Sequence, residues 1–217
     1  MTSLQRCRVR FYRCVLRMTR LLGGEVLVAQ VPSSTATAGD PAPSADDDVD
    51  IGGILLWMPP SKRLSGLGLL TLWQSGFFGL VAPWNYGLTG LYRIEAVFEA
   101  NTHAMFAKTL PENQRDCALV QMIAINPKYA GKGYASALLK YRIEQHFKEL
   151  PDRPVILDTS TVYGVRAYEK LGFKLLAQMP VDTGTDATGI KLKANPDSEI
   201  VRLAKETCIQ RVLVRYH

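Results

Sequence analysis

Two periodicities alternate along this chain of 217 residues. Leu4, Phe11, Val15, Met18 and Leu22 recur on one helical face, which predicts a helix ended by Gly23-Gly24. Glu25 to Val31 and Ile51 to Met58 read as strands, the second stopped by Pro59-Pro60. Residues 85 to 108 read as one long helix with Leu91, Ile94, Phe98 and Met105 inward and Glu95 beside that face. Leu119, Val120, Met122, Ile123 and Ile125 then form a nearly continuous apolar run, as expected of a strand covered on both faces. Asn126-Pro127 stops it, since proline has no N–H to give a ladder. After Gly131-Lys132-Gly133, Ala135, Leu138, Leu139, Ile143 and Phe147 mark an amphipathic helix. Val155 to Thr159 reads as a short buried strand with a polar end, and Gly164 to Leu171 as a short helix closed by Gly172-Phe173. Phe173 to Val181 reads as a strand, and Ile209 to Arg215 alternates as a final edge strand.

Three stretches interrupt this pattern. Residues 32 to 50, rich in proline, serine, alanine and acid, can bury almost nothing and are expected to form a disordered loop inside an expanded hairpin. Residues 182 to 207 read as an insertion with a short strand, Gly189 to Lys193, and a helical turn near Glu199. Residues 64 to 83 are almost wholly apolar. They are long enough to span a bilayer, but four glycines, Gln74 and their place inside the domain argue against insertion. They are expected to line an apolar substrate pocket as a helix or lid, or to meet a second copy in a homodimer. No repeat or linker divides the chain, so residues 1 to 217 are expected to form one domain.

Composition narrows the class. Hydrophobic residues make up 47% and charged residues 21%, the balance of a folded, water-soluble chain. Cys7, Cys14, Cys117 and Cys208 are scattered with no paired spacing, so reduced thiols and a cytoplasmic location are expected. Isolated His103, His146 and His217 offer no metal-ligand cluster, and no metal is expected. The net charge of +6 suits an anionic ligand and equally suits nucleic acid. Aromatic and basic residues do not interleave as a nucleic-acid surface would require, so none is expected as a partner. Arg6, Arg8, Arg10, Arg13, Arg17 and Arg20 crowd the first helix; a targeting presequence and an ordinary helix with a basic outer face both fit.

The strand, glycine turn and helix across residues 117 to 139 form a device for holding phosphate. The first-turn N–H groups of a helix lack intrahelical partners, and the helix dipole favours an anion there. The run Pro127-Lys128-Tyr129-Ala130-Gly131-Lys132-Gly133-Tyr134-Ala135 resembles the acyl-CoA pyrophosphate loop of the GCN5-related N-acetyltransferases (GNAT), [Gln/Arg]-x-x-Gly-x-[Gly/Ala]. Gly133 and Ala135 match its last two positions, while Ala130 stands where Gln or Arg is usual. About thirty residues on, Ala167-Tyr168-Glu169-Lys170-Leu171-Gly172-Phe173 is similar to the family's second signature. The resemblance covers roughly residues 85 to 181.

It implies an α/β fold: a mixed, mostly antiparallel sheet with helices on both faces. The strand and helix that usually open the family are lacking here, so either the product is shortened or its acceptor site is built differently. It implies acetyl-CoA as co-substrate, held by Ala130, Gly131, Lys132, Gly133, Tyr134, Ala135 and Ser136. The pantetheine arm is expected to pair with backbone at Ile123, Ala124 and Ile125, where two strands splay apart. Tyr168 is the expected proton donor to the departing thiolate, against the alternative of a packing tyrosine. Glu95, Glu99, Gln121 through water, and Asp158 remain open as the base. The expected activity is N-acetylation of a small-molecule amine; the alternative is a catalytically inactive acyl-CoA-binding or interaction module of the same fold.

Overall fold

The computed structural model describes residues 3–32, 49–63, 68–81, 87–92, 100–181 and 199–217. Six strands form one sheet there: β1 (Glu25–Pro32), β2 (Val49–Met58), β3 (Ala118–Ile125), β4 (Val155–Thr159), β5 (Lys174–Pro180) and β6 (Ile209–Arg215). Their order is β1-β2-β3-β4-β6-β5. Only β3 and β4 run parallel; the other neighbouring pairs are antiparallel.

Strand alternation sends apolar side chains to both faces. On one face Leu55, Trp57, Ala118, Val120, Val155, Leu157 and Leu213 meet Leu138, Leu139, Ile143 and Phe147 of α6 (Tyr134–Glu149), with Val165 of α7 (Val162–Glu169). On the other face Met58, Leu119, Ile156, Val212 and Val214 meet Met105 and Phe106 of α5 (Ala100–Thr109). Leu56 meets Cys14, Val15 and Met18 of α1 (Ser3–Leu21) and Leu80 of α3 (Phe78–Val81). Each fully buried aliphatic or aromatic side chain of this kind contributes roughly 1.5–3 kcal/mol relative to its exposed state. Arg142 ties α6 to the first strands. It makes a two-pronged contact with Glu25, both hydrogen bonds at 2.7 Å, and its guanidinium lies 4.8 Å from the Trp57 ring centroid.

The architecture is the one expected: a mixed, mostly antiparallel sheet with helices on both faces. One expectation is corrected. β6 is not an edge strand; it lies between β4 and β5 and pairs antiparallel with both. Its residues Val212, Leu213 and Val214 are each fully buried, because a central strand is covered on both faces and paired along both edges.

Other boundaries shift. The strands around the acidic segment reach Pro32 and begin at Val49, and residues 33–48 lie outside the described residues. The long helix expected over 85 to 108 is described as α4 (Gly87–Tyr92) and α5, with residues 93–99 outside the described set. The helical turn near Glu199 is a helix, α8 (Glu199–Thr207), while Gly189 to Lys193 lies outside. In the apolar stretch, α2 (Leu69–Ser75) and α3 are helical. All four cysteines are free thiols. Among the described residues no helix is long and apolar enough to cross a membrane, and no group of three or more metal-binding side chains gathers.

Candidate active site

β3 and β4 are paired at only two registers, Ala118 with Val155 and Leu119 with Ile156. Both strands continue beyond that point, so they part towards their carboxyl ends and leave a splay. A bulge in the β2–β3 ladder lies at the same level: Met122 pairs with Leu56, and Val120 with Trp57. Gln121 is the extra residue, and it is half-buried. Beyond the bulge the alternation is reset, so Ile123 packs on the same face as Ala118 and Val120.

The reset decides which backbone groups face the splay. The N–H of Asn126 donates to the Gly52 carbonyl at 2.9 Å, so Asn126, Ala124 and Met122 turn their polar groups to β2. The intervening residues, Ile123 and Ile125, turn theirs to the splay. Of the three residues expected to face an extended ligand, these two offer backbone hydrogen bonds there; Ala124 spends its own on β2.

At one lip of the splay stands the glycine loop. Asn126 caps the short 3-10 turn Pro127–Tyr129, its side-chain oxygen accepting from the Lys128 N–H at 3.1 Å. Tyr129 is buried, and its hydroxyl donates to Asp50 Oδ2 at 2.6 Å; Lys128 Nζ reaches the same oxygen at 2.6 Å. These two hydrogen bonds hold the Asp50 carboxyl below the usual carboxylate range. The amines of Lys128 and Lys132 both sit 5.1 Å from the Tyr129 ring centroid. Tyr129 thus pins the loop to β2, and Asp50, lying in a stretch expected to be disordered, is its anchor.

Gly131 and Gly133 adopt φ of 77° and 85°, a region costly for residues with a Cβ. A Cβ at either would meet nothing within 4 Å, so the backbone conformation requires these glycines and the space above them is open. Gly133 is the N-cap of α6 and provides no side-chain cap. The first i to i−4 bond of that helix is from Ala137 to Gly133 at 2.9 Å. The N–H groups of Tyr134, Ala135 and Ser136 therefore have no helical carbonyl to bind and point out of the helix end. Lys132 is exposed beside them. Ala130, also exposed, precedes the first of the two glycines, and its N–H is bonded back to Pro127 at 3.2 Å.

At the other lip stand Asp158 and Tyr168. Asp158 lies near the carboxyl end of β4, with Oδ2 3.4 Å from Gln210 Nε2 of β6; Gln210 also donates to Thr102 of α5. Burial pushes the Asp158 carboxyl up, with the Gln210 contact opposing it. Tyr168 is half-buried against the α6 face, its ring edge-on to Phe173 at 5.9 Å between centroids. Burial raises its phenol, and the nearby negative charge of Asp158 raises it further. Of the four candidate bases, Glu95 lies outside the described residues, as does Glu99. Gln121 sits at the bulge; Asp158 turns to the α5 face of the sheet, where Gln210 and Thr102 meet it, while Tyr168 packs on the α6 face. The Asp158–Gln210–Thr102 chain was missed from sequence, because it joins three elements far apart in the chain.

Residues 98–194 match the model of the acetyltransferase (GNAT) domain. No curated protein matches the sequence. Among solved structures the chain is similar to a histone acetyltransferase and related acetyltransferase from Corynebacterium glutamicum, with TM-score 0.46 and 14% identity over 96% of this chain and 74% of that one. It is similar to a Drosophila melanogaster polyamine N-acetyltransferase, with TM-score 0.43 and 17% identity over 94% and 95% of the two chains. Arylalkylamine N-acetyltransferase 2 from Aedes aegypti aligns with TM-score 0.45 and 13% identity over 80% and 70%.

Proposed function

We propose that this chain, which carries a GNAT acetyltransferase domain, transfers the acetyl group of acetyl-CoA to the amine of a small, partly apolar molecule. The carrying observation is the pairing of β3 and β4 at two registers only, with an uncapped helix end on one lip and a buried acid with a tyrosine on the other. The N–H groups of Tyr134, Ala135 and Ser136, with Gly131, Lys132 and Gly133, suit a pyrophosphate through backbone donors and the helix dipole. Ala130 adds no side-chain donor, which such a backbone-held anion tolerates. Ile123 and Ile125 suit an extended amide-bearing arm laid beside β3 as an added strand.

The amine nitrogen forms its bond to the thioester carbonyl carbon, the carbon–sulfur bond breaks, and the pair of electrons leaves on sulfur. On the way from ammonium to amide the nitrogen sheds two protons, and the sulfur gains one. Asp158 takes the first, before attack, and burial matches this task by raising its proton affinity towards that of the donor. Tyr168 gives its proton to the departing sulfur and is restored by the second proton from nitrogen; its raised phenol is fully protonated at neutral pH, as a donor must be.

The experiment is release of free thiol from acetyl-CoA across a panel of small amines and one polybasic peptide. Turnover with an apolar small amine above that with the peptide is expected. Faster turnover of the peptide overturns the acceptor class. The replacement of the loop's usual Gln or Arg by Ala130 favours a second reading, an inactive acyl-CoA-binding module. Thermal stabilisation by CoA with no thiol release from any amine would establish it.

A further inference from the structure

α1 carries six arginines and no acidic residue. Arg6, Arg10, Arg13, Arg17 and Arg20 recur at spacings of four and three, so they form one line along the helix. That line lies opposite the side buried through Val15 and Met18. Arg6, Arg13, Arg17 and Arg20 are exposed or at the helix end, and none makes an ion pair with a described residue. Arg17 marks where the line meets the next layer: its Nη1 lies 3.5 Å from where a Cβ on Gly76, the C-cap of α2, would stand.

Beside this line the short helices turn apolar side chains to water. Leu69 is 77% exposed, Leu70 65%, Trp73 69%, Phe78 48% and Leu88 75%. α2, α3 and α4 contain no charged residue at all. Tyr12 and Leu21 of α1 are exposed as well. Scattered single apolar residues need no explanation, but five on three adjoining helices beside a purely basic helix do.

We propose that the face formed by α1 to α4 docks on an anionic lipid surface, with the arginines at the headgroups and Leu69, Leu70, Trp73, Phe78 and Leu88 in the acyl boundary. The combination fits that partner in both its parts: cationic side chains for the phosphates, and a tryptophan with leucines for the interface. A second copy fits worse, because a two-fold contact would set one arginine line against another with no acid on either. Nucleic acid would satisfy the arginines and leave the leucines in water. The protein would then lie on the membrane through this face.

The test is flotation of the full chain with vesicles of phosphatidylcholine alone or mixed with phosphatidylglycerol. At least tenfold greater retention on the anionic vesicles at low salt is expected, falling as salt is raised. Tryptophan emission should be quenched by lipids brominated on their acyl chains, and Trp73→Phe should lose that quenching. Leu70→Ser with Trp73→Ser should cut retention several-fold, and Arg13→Glu with Arg17→Glu should abolish it, with unchanged circular dichroism in each. Equal retention on both vesicles, or retention without acyl-chain quenching, overturns the proposal. So does a concentration-dependent dimer in sedimentation velocity that the Leu70→Ser, Trp73→Ser variant dissolves. Retention is read without substrate, so it succeeds or fails independently of acetyl transfer.

Discussion

Two strand-to-helix turns flank the splay, and they are finished in opposite ways. After β4, the chain caps its own helix: Thr161 Oγ1 accepts from the Gly164 N–H at 2.9 Å, and Thr159 Oγ1 accepts from the Thr161 N–H at 3.4 Å. After β3, the cap position is Gly133 in the left-handed region, and no side chain closes the helix end. One turn spends the N–H groups of Thr161 and Gly164 on its own threonines, at the start of the helix that carries Tyr168. The other leaves its N–H groups free for an anion. The same supersecondary unit thus becomes a support or a binding site according to whether the cap residue carries an oxygen.

The comparison can be broken at the chemistry first. Tyr168→Phe keeps the ring and its contact with Phe173 but removes the proton. Turnover should fall by about 10²–10⁴-fold with acetyl-CoA affinity unchanged. A fall within about twofold would make Tyr168 a packing residue and nothing more. Asp158→Asn should cost turnover in the same range. In the parent protein the acid limb of kcat/KM should lie above the ordinary carboxylate range, since burial raises Asp158. Because its folded pKa is the higher one, Asp158 favours the folded state fully below the ordinary pKa, and that contribution is lost as pH rises through the raised value. Asp158→Asn should therefore remove the acid limb and flatten stability across that same window.

Gly133→Glu breaks the other turn. It forces a side chain into the left-handed region and sets a carboxylate in the open space before the α6 amino end, where the proposed pyrophosphate would sit. Calorimetry should give acetyl-CoA affinity weaker by at least about tenfold, or 1.4 kcal/mol. An unchanged affinity would remove the loop from the binding site. Thr161→Ala should do the reverse: lower stability by about 1 kcal/mol, or about 2–4 °C in Tm, with acetyl-CoA affinity unaltered. Smallest of all, Asp50→Asn should weaken the hold on Tyr129 and Lys128 and loosen acetyl-CoA binding by less than about fivefold, since the group is solvated.

The open turn was legible in the sequence because its parts are local. An apolar run, Asn126-Pro127, two glycines and an amphipathic helix fall within about thirty residues and signal through short-range rules. α1, α6 and the three strands before α6 were legible for the same reason. The closed turn was half legible: its strand and helix could be read, but not its tie to Gln210, which arrives from β6. Asp50 was hidden, because a carboxylate at the edge of an acidic, proline-rich stretch gives no sign that it will meet Tyr129. The rank of β6 was misread for a different reason. Alternation reports which face of a strand is buried and says nothing about what lies along its edges. Val212-Leu213-Val214 did break the alternation, and that unbroken triplet was the trace of a central strand.

The place of β6 also sets a schedule. β5 touches the sheet only through β6, so it has no ladder to join until residues 209 to 215 have been made. At the pace of synthesis, about 5–20 residues per second, β5 waits on the order of seconds as a loose strand with both edges unpaired. The helix that bears Tyr168 lies just upstream of that strand and leans on it. The glycine loop, resting on β2 and β3, is finished while the chain is still growing. Assembly therefore runs from the lip with the glycine loop to the lip with Asp158 and Tyr168. A chain interrupted before residue 209 would hold the whole glycine loop and lack the strand that pairs with β4 beside Asp158.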